Sequence, residues 1–241
     1  MYFKVYSVVR ILQIAVKCLL TSQSDWLCLN KGLCFFSNLS SVSVGVAFML
    51  RPGFVPDSYS FREIVQGHLA SLEFVYQGFH LTLFNVYAPS ESGARNDFFL
   101  THLVNYFHTL FFDQCICIGG DFNCTFESNL DRNTPEPHPE SHKHISCCFS
   151  SLVLLDAWRM QHRTASQYTW CRCANGLITL ARLDRWYINS TFRNVLMSCN
   201  IFSSIFSDHH LVVLGLSSSQ LPQISAYWTF NTSLLEDCFF Y

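Results

Sequence analysis

Charge is scarce in this chain. Only 13% of its 241 residues are charged, and before Asp57 the sole carboxylate is Asp25. With half the residues apolar, the composition excludes a disordered polyampholyte and provides for a sizeable core in one large domain. A formal net charge of -2 excludes a uniformly basic nucleic-acid binder, so any polyanion would have to meet a local patch. Long uncharged apolar runs are also missing. The apolar stretch Met1 to Leu20 is broken by Lys4, Arg10 and Lys17, and no membrane span is expected. It carries no clear small-x-small cleavage site of a signal peptide either. The twelve cysteines lack an even framework spacing, and Cys171-x-Cys173 has the wrong spacing for a zinc knuckle. They read as buried reduced thiols, which implies a nuclear or cytoplasmic location.

What the chain does have is a regular alternation of apolar runs and turn signals. Gly45 to Leu50 reads as a strand stopped by Arg51-Pro52-Gly53. Residues 62–67 and 68–76, then 80–87 after Gln77-Gly78, predict a meander of antiparallel strands. Phe99, Leu103, Phe107, Leu110 and Phe111 recur at helical steps, and Cys115 to Gly119 is a wholly apolar strand. Residues 129–144, rich in proline, histidine and charge, read as a loop. A helix is expected over 143–152, and further strands at 154–158, 168–170, 182–188 and 211–216. Helices alternating with strand groups predict an α/β or α+β fold with packed sheets. There is no internal repeat or low-complexity tract.

Polar residues gather where these strands end. Gly119-Gly120-Asp121-Phe122-Asn123 sets a carboxylate and a carboxamide two residues apart, on one side of an extended chain. Such a pair can orient a water and hold a phosphate oxygen, although by itself the motif is more often an ordinary Asx turn. Ser207-Asp208-His209-His210 joins an acid to an imidazole ahead of an apolar strand, the arrangement for metal binding plus proton transfer. Asp184, inside an apolar strand, needs a partner. His209 is one candidate, and Arg182 or Arg185 are the others. Tyr87 places a phenol at a strand end. From Lys143 to Asn200 seven Lys/Arg stand against two acids, a basic stretch suited to a polyanion or simply to solvent.

The motifs FNVYAPS, IGGDFN, QYTW, RLDRWYI and SDHHLV occur in this order. Together they resemble the endonuclease/exonuclease/phosphatase superfamily, and within it the endonuclease domain of non-LTR (LINE-type) retrotransposons. GVAFMLRPGF resembles that family's strand before the meander, and YWTFNTSLLED resembles the segment leading toward a reverse transcriptase. The resemblance covers roughly residues 20 to 237. It implies a four-layer sandwich of two packed mixed β-sheets flanked by helices. It also implies DNA as partner, a reverse transcriptase domain in the parent polyprotein, and Mg2+-dependent phosphodiester hydrolysis.

Carried over residue by residue, the resemblance makes Tyr87 a phosphate contact. Asp121 orients the water, Asn123 binds phosphate, and Asp184 pairs with His209. Asp208 holds the metal, and His209 stabilises the developing charge. Thr169 contacts DNA, with Arg172, Arg182 and Arg185 as further DNA-binding residues of the basic stretch. The pattern is departed from at the front. The family's first strand carries an Asn and its second a metal-binding Glu in a Gln-Glu-Thr setting, yet the first Asn here is Asn30 and no Glu precedes Glu63. The expected organisation is therefore an unrelated segment over 1–18, the nuclease-like domain over 19–217 with its first strands missing, and a linker over 218–241. The expected function is DNA nicking impaired by loss of that Glu. The alternatives are a catalytically dead DNA-binding module or a non-functional relic.

Overall fold

The computed structural model describes residues 12–15, 32–39, 45–76, 78–109, 115–204 and 207–216. Its centre is a six-stranded mixed sheet. Strands β4 (Ser58–Val65), β5 (Leu69–Tyr76) and β6 (Phe79–Tyr87) form the expected antiparallel meander, with Gly78 at φ +78° in the tight turn. β6 then pairs in parallel with β7 (Ile116–Asp121). Parallel neighbours require a crossover, and the helical segment after Pro89 supplies it. It runs as α1 (Ser92–Asp97), a π-helical stretch Phe98–Leu103, and α2 (Val104–Phe107). β11 (Asp184–Asn189) and β8 (Leu154–Asp156) complete the sheet, in the order β4-β5-β6-β7-β11-β8.

Period-two alternation sends the strands' side chains to opposite faces. Phe84, Val86, Ile118 and Tyr187 meet Phe98, Phe99, Leu103 and Phe107 of the crossover, together with Ile145 and Phe149 of α4 (Ser141–Ser151). On the other face Leu72, Phe74, Leu83, Cys117, Trp186 and Ile188 meet Val46, Phe48 and Leu50. They also meet Cys199, Ile201 and Leu216. Each such large side chain stabilises the fold by roughly 1.5–3 kcal/mol relative to exposure, so the aromatic richness is spent on both faces. The second layer of strands consists of two pieces among the described residues. One is the antiparallel trio β1 (Leu12–Ala15), β3 (Gly45–Met49) and β2 (Cys34–Asn38), and the other is the hairpin of β12 (Leu196–Phe202) and β13 (Leu211–Leu216). Helices, a six-stranded mixed sheet and a second strand layer make this an α/β fold, as the motifs implied. β1 lies within the segment set apart in the sequence. Leu110, Phe111 and residues 218–241 lie outside the described residues.

Several elements differ from the sequence reading. A short helix, α3 (Ser128–Asp131), interrupts the expected loop, because the buried Asp131 carboxylate accepts from the Glu127 amide at 3.1 Å and closes the turn. The expected strand 154–158 stops at Asp156, whose side chain accepts from the Arg159 amide and caps α5 (Ala157–Gln161). β9 (Trp170–Ala174) and β10 (Leu177–Ala181) form an unforeseen hairpin. Its signal was Asn175-Gly176, both at positive φ, the preferred dipeptide for a two-residue turn.

Candidate active site

Three neighbouring strands end side by side. Tyr87 of β6 is the register partner of Asp121 on β7, and Asp121 is the partner of Asp184 on β11. Sheet pairing alone therefore lines up a phenol and two carboxylates that are 97 residues apart at the extremes. The approach of β6 to β7 depends on Gly120. It stands at φ +145°, and a Cβ there would meet the Val86 carbonyl oxygen at 1.9 Å, so no other residue fits without moving backbone. Beyond the strand, Asn123 turns at φ 50° and its amide donates to Asp121 Oδ1 at 2.8 Å. The Asn123 side-chain amide donates to the Ala88 carbonyl at 2.7 Å.

His209 closes the group from the loop before β13. Its Nδ1 lies 2.8 Å from Asp184 Oδ2 and its Nε2 4.0 Å from Asp121 Oδ2. Of the partners open to Asp184 in the sequence, the structure selects His209. The loop is fixed to β9, where Trp170 bridges His209 and the Cys171 amide donates to the Asp208 carbonyl. Trp170 Nε1 also donates to Asp208 Oδ2 at 3.2 Å. Thr169, expected at the DNA, is fully buried. Its hydroxyl accepts from the amides of both Leu183 and Asp184 at 2.9 Å and so sets the start of β11.

The electrostatics follow from burial and crowding. Burial, then the neighbouring Asp184 charge, pushes the Asp121 carboxyl up to about 7. Burial would lower the His209 imidazole, but the hydrogen bond and charge of Asp184, followed by Asp121, outweigh it and hold it at about 9. The Tyr87 phenol is raised by burial first, then by Asp121 and Asp208. Near neutral pH the group is thus a protonated imidazole between two acids, one of them poised to take or give a proton.

One ligand atom each from Asp121, Asp184 and His209 lies within 4.8 Å of the others. Two crowded carboxylates, one of them buried and carrying a raised proton affinity, are a donor set that a hard divalent cation fits. Asp208, the metal ligand expected from the motif, stands outside this trio and is exposed.

Two of the expected DNA-binding arginines are placed elsewhere. Arg182 and Arg185 are each 1% exposed and converge on Asp131, at 2.8 and 3.6 Å, with Arg159 joining them at 2.5 Å. Arg182 also reaches Asp156 at 2.8 Å. Burial would raise Asp131, but Arg185 and Arg182 hold its carboxyl well below the usual range. Guanidinium groups locked in this interior network are not a phosphate-binding face, which corrects that expectation. Arg172, on the hairpin, is exposed. The network was not read from the sequence. Its one signal was Asp131-Arg132-Asn133 in a stretch otherwise like a loop.

No protein-family model matches the chain. In sequence it is 34% identical over 215 residues to the transposon TX1 uncharacterized 149 kDa protein of Xenopus laevis. That match takes in 89% of this chain and 16% of the relative, so the chain spans about a sixth of that protein's length. Among solved structures, the endonuclease domain of TRAS1, a telomere-specific non-LTR retrotransposon, superposes with a TM-score of 0.59 at 10% identity. That superposition covers 78% of this chain and 80% of the other. An AP endonuclease from Archaeoglobus fulgidus gives 0.65 at 18% identity over 86% and 88%, and a 3'-5' exonuclease from Neisseria meningitidis 0.61 at 16% over 77% and 80%. The chain therefore has the endonuclease/exonuclease/phosphatase fold, in a sequence related to that of a transposon-encoded protein.

Proposed function

We propose that this chain is a retrotransposon-derived endonuclease-like domain whose strand-end cluster addresses a DNA phosphodiester, and that metal-dependent hydrolysis is impaired in it. The observation that carries the reading is the His209–Asp184 pair at 2.8 Å facing Asp121 across 4.0 Å. In this role Asp121, with its raised proton affinity, orients a water and takes its proton. Asp184 fixes the proton on His209 Nδ1 and leaves Nε2–H to meet negative charge developing on phosphate oxygens. The Tyr87 phenol and the Asn123 amide hold the phosphate in line with the water. A divalent cation held by the carboxylates would neutralise part of the phosphate charge.

The impairment is proposed for these 241 residues as they stand, in which no Glu precedes Glu63. Losing one carboxylate ligand should cost several kcal/mol of transition-state charge stabilisation, on the order of a thousandfold in rate. That same absence favours the second reading, a DNA-binding module without catalysis. The test is incubation with supercoiled plasmid in Mg2+ beside a binding titration at low salt. Binding with little or no nicking is expected, and a graft of an upstream strand pair bearing Asn and Glu should restore nicking. No binding at low salt would defeat the DNA reading. Robust Mg2+-dependent nicking abolished by His209→Ala would defeat the impairment.

A further inference from the structure

His68 was not among the candidate residues, yet it is built into Tyr87 from three directions. It follows Gly67, at φ +72°, in the turn between β4 and β5, and that turn is tied by the Gly67 amide to Ser37 Oγ at 2.8 Å. Its own amide donates to the Val65 carbonyl at 2.9 Å, and its carbonyl accepts from the Tyr87 amide at 2.8 Å. Its ring Nδ1 lies 2.6 Å from the Tyr87 carbonyl oxygen. A carbonyl only accepts, so Nδ1 carries the proton and the ring orientation is fixed. The two rings lie within 9° of parallel, with centroids 6.0 Å apart, and the His68 ring also packs at 5.7 Å on buried Phe98.

We infer that His68 is a positioning residue for Tyr87, holding that strand-end phenol in a single orientation at the cluster through its ring and its Nδ1–H bond. Tyr87 is the last residue of β6 and only half buried, so strand pairing alone does not fix its side chain. A tyrosine free to change rotamer would miss a phosphate by more than hydrogen-bond tolerance. The inference rests on the reading of Tyr87 as a phosphate contact, but the packing it describes does not. The two can therefore be tested apart.

The first measurement uses the full chain labelled with 3-fluorotyrosine, the Tyr87 19F resonance being assigned by its loss in Tyr87→Phe. His68→Ala should shift and broaden that resonance while the other tyrosine signals stay in place. His68→Phe, which keeps a ring without the donor, should give a smaller change. An unmoved Tyr87 resonance in His68→Ala would overturn the inference. If every tyrosine signal moves, the fold has been lost, and His68→Phe together with His68→Asn then decides by the same criterion. The second measurement is a double-mutant cycle on affinity for a short DNA duplex. His68→Ala should weaken binding by about threefold to tenfold in the native background and not at all in Tyr87→Phe. Equal losses in both backgrounds would overturn the inference. Failure of the native protein to bind duplex defeats the endonuclease-like reading and leaves the 19F result to decide on His68.

Discussion

Nδ1 of His209 lies 2.8 Å from Oδ2 of Asp184, a contact made across 25 residues of chain. The two residues belong to different layers, Asp184 opening a strand of the six-stranded sheet and His209 preceding β13 of the second layer. Their bond is therefore a clasp between the layers as well as the centre of the candidate site. Asp184→Asn should drop the imidazole from about 9 toward its ordinary 6.5, seen as a shifted histidine titration by NMR. Any nicking activity restored by an upstream graft should fall by roughly a hundredfold or more.

The same shifts set the sign of the pH dependence. His209 binds its proton more tightly folded than unfolded, so its stabilisation is full below about 6.5 and is lost as pH rises through about 9. Asp121 is also raised, to about 7, so ionising it in the fold removes stability as pH climbs from about 4 to about 7. Asp131 is lowered, so its contribution is lost as pH falls below the ordinary carboxylate range. Thermal unfolding should thus show a maximum near pH 4 and a decline from there toward pH 9. Asp121→Asn should remove the acidic part of that decline.

Asp131 is a buried anion facing three guanidinium groups. Removing it leaves the buried Arg185 without its paired carboxylate, Arg182 with Asp156 alone and Arg159 with Glu127 alone, so Asp131→Asn should destabilise by about 3–5 kcal/mol in denaturant titration. Conversion of the buried arginines to DNA contacts is not expected.

Thr169 offers a test of structure against contact. Thr169→Val leaves two buried amides, of Leu183 and Asp184, without an acceptor and should cost about 2–4 kcal/mol. Thr169→Ser keeps the hydroxyl and should be close to native in urea midpoint. A DNA-affinity loss in Thr169→Ser with unchanged stability would instead mark a direct contact.

Among the basic residues first named for DNA, exposed Arg172 is the one free to meet a phosphate. Arg172→Ala should weaken duplex binding and reduce the slope of log affinity against log salt by about one. Arg182→Ala should act through unfolding, seen as a lowered melting temperature.

The strand ends and their order are legible in the residues alone. Apolar runs stopped by Gly119-Gly120, Ala88-Pro89 and Ser207-Asp208 leave Asp121, Tyr87 and His209 at element boundaries, because local periodicity and turn chemistry are written in neighbouring residues. The motifs added the expectation that Asp184 pairs with His209. Which arginines are buried was not legible, since Arg172, Arg182 and Arg185 look alike in a chain of charges. Only the approach of Asp131 to residues 182 and 185 pairs two of them with that carboxylate and leaves the third on a hairpin. The motif's Asp208 is exposed and accepts from Trp170 Nε1, while strand pairing and the loop before β13 bring Asp121, Asp184 and His209 within ligand distance of one another. Local patterns fix what a residue can be. Contacts between segments far apart in the chain decide which charges are desolvated together, and from that come the raised Asp121, the protonated His209 and the placement of His68 against Tyr87.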